Sequence, residues 1–406
     1  MDNVTHSLIG YALGRAATRG RGREEQRAGI WASIAASNAP DLDLIVNVVS
    51  DNGKLAYLAH HRGHTHTLLW AVPIGFACAE IFLRVCKVSE RGAGRRVYLL
   101  AALAGLLHIA FDYLNNYGVH PFFPLDNRWY YGDAVFIIEP LLFAALLPLL
   151  AFGASTRAGR ATGFSLIGVV LALLWGVSLV GLTSAIVATL ALLAMSVLHR
   201  AVAGARPSAG PWLALAATLT VVSVFTGTRA AAASVFMRAL GERAPDENVA
   251  QLVLTPMPAN PLCWGALAVT TDDEGTYRGR FGFASLMPAL IDPARCRMVP
   301  HGPTTAPLTE RPLLSLQSQT VPSAVFDLAF EGKLEELRAL ARNNCQARIL
   351  LQFSRAPFWM RDGEATIAGD LRYDHEPELA FAELELGETC TDAPVPWVPP
   401  LRALLE

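Results

Sequence analysis

The sequence predicts an α-helical polytopic membrane domain of about eight helices, residues 1–229, followed by a small α+β domain outside the membrane, residues 230–406. Three observations predict it. Of 406 residues, 52% are hydrophobic and only 17% charged, where soluble domains carry roughly 25% charged residues. The apolar runs are concentrated before residue 229, and the remainder has ordinary globular composition. Arginines and lysines cluster in alternate loops, the pattern of a chain that crosses a bilayer repeatedly.

Taken in order, residues 3–18 form a short apolar-faced helix, and spans of membrane length follow at 28–48, 67–86, 97–116, 134–152, 163–181, 184–199 and 211–229. A crossing needs about 17–25 mostly apolar residues. The basic segments are 15–27, 87–96, 157–160 and 200–206, whereas 49–66, 117–133 and 182–183 hold few basic residues. Basic loops stay cytoplasmic, so eight helices with both termini outside satisfy the pattern. The start, MDNVTHSLIGYALGRA, places its arginine after the apolar stretch, the reverse of a secretory signal.

Beyond residue 238, alternating runs at 262–271, 276–283, 348–354, 365–373 and 379–387 predict strands, separated by an amphipathic helix at 323–344. Cys263, Cys296, Cys345 and Cys390 are either two disulfides, in one of three pairings, or four unrelated thiols. Cys78 and Cys86 lie in a span and behave as small hydrophobes. Asp370, Arg372 and Asp374 alternate as charges on the wet face of a strand, and His301 and His375 are isolated surface residues. A net charge of -2 lacks the basic face that nucleic acid requires.

The chemistry is in the spans. A charged side chain at mid-bilayer costs about 2.5–3.5 kcal/mol and marks function by default. Measured from the basic end of its own helix, His6 lies nine residues from Arg15, Asp41 fourteen from Arg27, and His108 twelve and Asp112 sixteen from Arg96. Glu139 is fourteen residues before Gly153, and His66 opens the helix ending near Lys87. Most of these groups share one layer, roughly 14–25 Å above the cytoplasmic surface. His108 and Asp112, four apart, lie on one helix face. Separately, His6 could be a helix-start histidine, Asp41 a cap after a kink at Pro40, Glu139 a polar helix end, and HHRGHTHT (60–67) a solvated loop. Together they make a ligand set for a divalent ion. Imidazole and carboxylate suit zinc, manganese or ferrous iron, and six or more donors leave room for one ion or two. A metal with an open position activates water for hydrolysis.

At these residues the chain resembles the YdjM-like inner-membrane family, described as predicted metal-dependent hydrolases. The family pattern MDxxTHxLxGxALG is matched by residues 1–14, PDLD by 40–43, and HRGxTHS by 61–67 with Thr67 in place of serine. HxxxD is matched by His108 and Asp112, and an I-x-D-P element by 137–140 with Glu139 in place of aspartate. The resemblance covers residues 1–150 strongly and extends weakly into PMPANPLCWG, 256–265. The ligand order is also distantly similar to that of zinc-dependent phospholipase C, with His120 near a further histidine of that group. The resemblances imply His6, Asp41, His61, His66, His108 and Asp112 as metal ligands and Arg62 as a phosphate-binding residue or an interface anchor. His60 and His64 are bystanders. Asp43 or Glu139 would serve as general base.

The resulting expectation is a membrane-embedded hydrolase using zinc, or manganese, on a phosphoester or lipid-like substrate at the outer face of the inner membrane. The alternative is a divalent-metal transporter or a metal-stabilised scaffold. Lipid is the expected partner; the spans exclude a soluble nucleic-acid enzyme.

Overall fold

The computed structural model describes residues 1–45, 53–89, 91–176, 181–206, 208–296, 314–321, 324–373, 379, 381–387 and 395–406. Its first half is helical: α1 (Asn3–Ala17), α2 (Arg23–Ala36), α3 (Gly53–His60), α4 (Leu68–Val85), α5 (Arg91–Tyr113), α6 (Pro140–Gly153), α7 (Arg157–Gly176), α8 (Leu182–Ala205) and α9 (Gly210–Arg243). Five of these are long and apolar enough to cross a membrane: α4, α5, α7, α8 and α9.

Two expected spans are shorter than predicted: α2 and α6 have 14 residues each, and α1, expected as a short helix at 3–18, has 15. At 1.5 Å per residue that is about 21–22 Å, less than the roughly 30 Å hydrocarbon core. The predicted 28–48 helix stops because Pro40 brings no amide donor and biases the residue before it away from helical geometry. The chain continues instead as a 3-10 turn, Ala39–Ile45. The short helices are the interior of the bundle. Ten of fourteen α6 residues are buried, and Leu146, Leu147 and Leu149 pack on Leu8, Ile9 and Ala12 of α1 and Ala214 of α9. By contrast, α7 buries only Gly163 and Leu174 and exposes Phe164, Val169, Leu173 and Trp175, as lipid contact demands.

Small residues bring α2, α4 and α5 close: Ala28, Ala32 and Ala36 pack with Ala79, Ala101 and Ala104. A Cβ on Gly75 of α4 would stand 2.7 Å from the Ala101 carbonyl oxygen, and one on Gly105 of α5 would stand 2.8 Å from that of Ala71. Gly75→Val or Gly105→Val should therefore force α4 from α5 and cost about 1–3 kcal/mol, seen as earlier thermal unfolding in detergent.

The C-terminal part follows α9, which runs without interruption through residues 229 and 230 to Arg243 and carries Phe225, Phe236 and Ala239 against Leu254, Trp264 and Ala266 of the sheet. A five-stranded antiparallel sheet has the order β1-β2-β3-β5-β4, from β1 (Asn248–Met257), β2 (Asn260–Thr271), β3 (Thr276–Ser285), β4 (Leu314–Val321) and β5 (Ala324–Lys333). Then come α10 (Leu334–Asn343), α11 (Cys345–Leu351), a three-stranded antiparallel sheet of β6 (Pro357–Asp362), β7 (Ala365–Asp370) and β8 (Glu383–Glu385), and α12 (Arg402–Leu405).

Three sequence expectations fail here. The first half of the predicted 323–344 helix is β5, because it pairs with β3 from Thr276 opposite Lys333 to Ala284 opposite Ala324. The predicted 348–354 strand is α11, started by the Asn344 side chain accepting from the Ala347 amide at 2.9 Å. A seven-residue apolar run does not distinguish the two conformations. The charges expected on a wet strand face are buried instead: Asp370 is 0% and Arg372 6% exposed. They pair at 2.7 Å, because the strand end abuts the loop after α5, where Arg372 donates to the Asn116 carbonyl. Asp374, His301 and His375 lie outside the described residues, as does Cys390. Cys263 and Cys296 form a disulfide, Cys345 is disulfide-bonded, and Cys78 and Cys86 are free.

Candidate metal centre

Four elements converge at one end of α1 and α5. The centre is built by α1, the 3-10 turn after α2, the 60–67 turn after α3, and the last turns of α5. Asp2 caps α1 by accepting from the Thr5 amide and hydroxyl at 2.9 and 2.6 Å, which gives Asp2 and Thr5 a structural purpose and turns His6 inward. Thr67 caps α4 in the same way, accepting from the Trp70 amide, and so fixes the direction in which the chain leaves His66.

Asp41, His66, His108 and Asp112 each present one ligand atom to a common centre, all within 4.8 Å of one another. His66 Nε2 lies 3.0 Å from His108 Nε2, 3.3 Å from Asp41 Oδ1 and 3.2 Å from Asp112 Oδ2. His108 Nε2 lies 3.6 Å from Asp41 Oδ1 and 3.4 Å from Asp112 Oδ2. Four ligands about 2.0–2.1 Å from a tetrahedral ion stand about 3.3 Å apart. The five separations above, 3.0–3.6 Å, are close to that length.

Each donor is also held from behind. His108 Nδ1 donates to the Ser37 carbonyl at 2.7 Å, which leaves its Nε2 lone pair directed inward. Asp41 Oδ2 accepts from the Asn3 side-chain Nδ2 at 3.0 Å, freeing Oδ1. Asp112 Oδ1 faces Arg62 Nη2 at 3.1 Å, His6 Nε2 at 3.2 Å and the Met1 amino group. Its Oδ2, fully buried, has no hydrogen-bond partner. An anionic oxygen stripped of water and left without a donor is expensive; a cation at the centre removes the cost. His66 Nδ1 is held by Asp43 Oδ2 at 3.2 Å and the Thr65 hydroxyl at 3.0 Å. On the other side of the ring, His66 Nε2 faces Asp41 Oδ1 and Asp112 Oδ2. The carboxylates around this ring thus collect a positive charge, and a metal ion would supply it.

A second group, Asp41, Asp43 and His61, shares Asp41 with the first. Asp43 Oδ1 meets His61 Nδ1 at 2.9 Å, while Oδ2 accepts from the Arg62 amide at 3.0 Å and the Thr65 hydroxyl at 2.9 Å. His6 stands beside the four donors, stacked on His108 with ring centres 4.0 Å apart. Arg62, expected as a phosphate ligand, turns inward: besides Asp112 it reaches Asn115 Oδ1 at 2.9 Å and lies 4.7 Å over the Tyr117 ring. Its backbone φ of 57° is the left-handed region, which a long side chain adopts only when its surroundings impose it.

Glu139, the other expected base, belongs to neither donor group. It is 0% exposed and caps α6, with Oε1 accepting from the amides of Leu141 at 3.0 Å and Ala259 at 3.1 Å. It thereby ties α6 to the β1–β2 turn. His60 and His64 are also outside both groups. The supporting groups Asn3, Ser37, Asn115 and Tyr117 were not singled out by sequence; only the DYLNN run after Asp112, polar where the span should end, pointed towards Asn115.

Residues 1–185 match the model of the YdjM inner membrane protein family, and this stretch holds every donor described above. With five helices among the described residues long and apolar enough to cross a bilayer, the chain has the make-up of a multi-pass membrane protein. Over 159 residues it is 29% identical to "Uncharacterized protein YfhP" of Bacillus subtilis (strain 168), covering 37% of this chain and 46% of that protein. The chain thus spans about half the length of the curated relative it matches. No solved structure matches it.

Proposed function

We propose that this protein is a membrane-embedded, metal-dependent hydrolase acting on a phosphoester of a lipid-like substrate at the outer face of the inner membrane. The observation that carries the proposal is the set of four inward donors, Asp41, His66, His108 and Asp112, at tetrahedral spacing. Two imidazoles and two carboxylates favour zinc, with manganese the next candidate. A divalent cation held by these four donors supplies Lewis-acid charge that stabilises the negative charge developing on a phosphoryl oxygen.

The chain's own residues supply the rest. Asp43 Oδ1 and His61 Nδ1 form a carboxylate–imidazole pair beside the centre, suited to taking a proton from the attacking water and passing it outward. Arg62 holds Asp112 in place, and its buried Nε, which has no partner, is the donor left for a phosphate oxygen. Glu139 acts as a cap and clamp.

Access is through the 3-10 turn. The side chains of His66, His108 and Asp112 are wholly enclosed, whereas those of Asp41, Asp43 and His61 retain 7–8% exposure. The same turn exposes Leu42 at 71% and Ile45 at 65%. An apolar rim beside a polar centre suits an amphiphile arriving within the bilayer. The outer orientation is supported by the distance of about 18 Å along α5 between Arg96 and His108 and by the Cys263–Cys296 disulfide, which favours an oxidising compartment.

The test is hydrolysis by the purified protein in vesicles of phosphatidylglycerol and phosphatidylethanolamine, and of bis-p-nitrophenyl phosphate in detergent. Chelation should abolish turnover and zinc or manganese should restore it. Asp43→Asn should lower kcat by about 10²–10⁴-fold while metal is retained. Metal-replete protein that cleaves none of these probes sinks the proposal, and zinc uptake into the same vesicles without hydrolysis would make it a transporter.

A further inference from the structure

We propose that Trp397, from the C-terminal tail, is a positioning residue that straps the histidine-rich turn into its metal-holding geometry. The proposal extends the metal reading, since the turn carries two donors, but it stands on packing that does not depend on an ion.

Trp397 is 2% exposed. Its indole Nε1 donates to the Ala59 carbonyl at 2.7 Å, one residue before α3 ends, and its ring fills the space beside Gly63. A Cβ on Gly63 would stand 2.8 Å from Trp397 Cζ2 and 2.8 Å from the His60 carbonyl oxygen, so no other residue fits there. The same indole stacks on His120, ring centres 3.8 Å apart at 24°, and the Trp129 ring also packs on His120, centres 3.9 Å apart. His120 Nδ1 lies 3.2 Å from the Arg62 carbonyl. A carbonyl only accepts, so Nδ1 carries the proton and His120 holds Arg62 by its backbone. Arg62, in its left-handed conformation, in turn holds Asp112. Next to Trp397, the Val398 amide donates to the Asn127 carbonyl at 3.0 Å, anchoring the tail to the loop that carries Trp129.

One side chain therefore presses on both ends of the HHRG turn: directly through Ala59 and Gly63, and through His120 and Arg62 on Asp112. α3 has eight residues, too few to be stable alone, so the turn it feeds needs an outside support. The centre assembled in the first 112 residues is held by residue 397. The four-donor geometry is then a property of the full chain.

The experiment uses the full-length protein in detergent, with Trp397→Ala and Trp397→Phe. Hydrogen exchange is followed in the metal-free state, and cobalt(II) binding by its visible absorption. Trp397→Ala should raise exchange in residues 56–67, leave 248–285 as in the wild type, weaken cobalt binding at least tenfold and change the visible bands. Trp397→Phe, which keeps the ring stack but not the bond to Ala59, should fall between the two and restore most of the affinity. Should the alanine variant not accumulate, faster exchange at 56–67 in the phenylalanine variant still supports the strap, and unchanged exchange there overturns it. Wild-type exchange and cobalt spectrum in Trp397→Ala overturn the proposal, as does faster exchange spread equally over 248–285. If the wild type takes up no cobalt yet Trp397→Ala loosens only 56–67, the metal reading falls and the strap stands.

Discussion

Asp112→Asn should empty the metal centre while leaving the fold in place. Asp112 joins the donors to the groups behind them: Oδ2 faces His66 and His108, and Oδ1 faces Arg62 and His6. The amide keeps the volume and one acceptor but removes the negative charge that binds a cation. Loss of an outer hydrogen-bond partner typically costs about 10–100-fold in metal affinity, and loss of a donor should exceed that. Zinc per chain, measured after gel filtration, should fall from near-stoichiometric to background, with unchanged circular dichroism. Asp112→Ala should be worse for a second reason. It strands the Arg62 guanidinium, 3% exposed, without its carboxylate, and an unpaired buried charge costs about 3–5 kcal/mol. The alanine variant should thus lose both metal and stability, and the asparagine variant chiefly metal. Full zinc retention by Asp112→Asn would mean that the four donors do not share an ion.

The second large effect is expected at an ion pair outside both donor groups. Arg355 and Asp133 form a bidentate pair at 2.6 and 2.8 Å, with side chains 4% and 2% exposed. The guanidinium lies 3.8 Å over the Tyr131 ring, and the Arg355 amide donates to Asp370, which pairs with Arg372. This network fastens the segment before β6 to the loop between α5 and α6. Arg355→Met should destabilise the protein by about 3–5 kcal/mol, because Asp133 would remain buried and unpaired. Adding Asp133→Leu should recover much of the loss, since two apolar groups need no partners. Thermal unfolding in detergent for the two single variants and the double variant gives the coupling directly. A single variant within 1 kcal/mol of the wild type would show that the pair is solvated.

The membrane helices were legible because apolar runs are a local property. The 19-residue runs at 163–181 and 211–229 needed no tertiary information to be recognised. The failures have one physical source. Residues 324–333 and 345–351 are short, apolar stretches whose conformation is chosen by a neighbour, β3 for the first and the Asn344 cap for the second. Asp370 and Arg372 alternate as a solvated strand would, yet they are buried because the α5–α6 loop covers them. Glu139 shares the depth of the other carboxylates, and only the approach of Ala259, 120 residues later, shows its side chain committed to backbone amides.

By itself, the sequence determined that the chain crosses a membrane several times and that imidazoles and carboxylates lie at one depth in its first half, because hydrophobic length and spacing along a helix are written in consecutive residues. Only the tertiary structure decided that Asp41, His66, His108 and Asp112 face one another, that Arg62 turns inward to Asp112, and that Trp397 closes over the turn. Those choices depend on how α1, the 3-10 turn and α5 pack side by side, and on a tail joined to them across more than half the chain. Contact between residues so far apart leaves no periodicity to read.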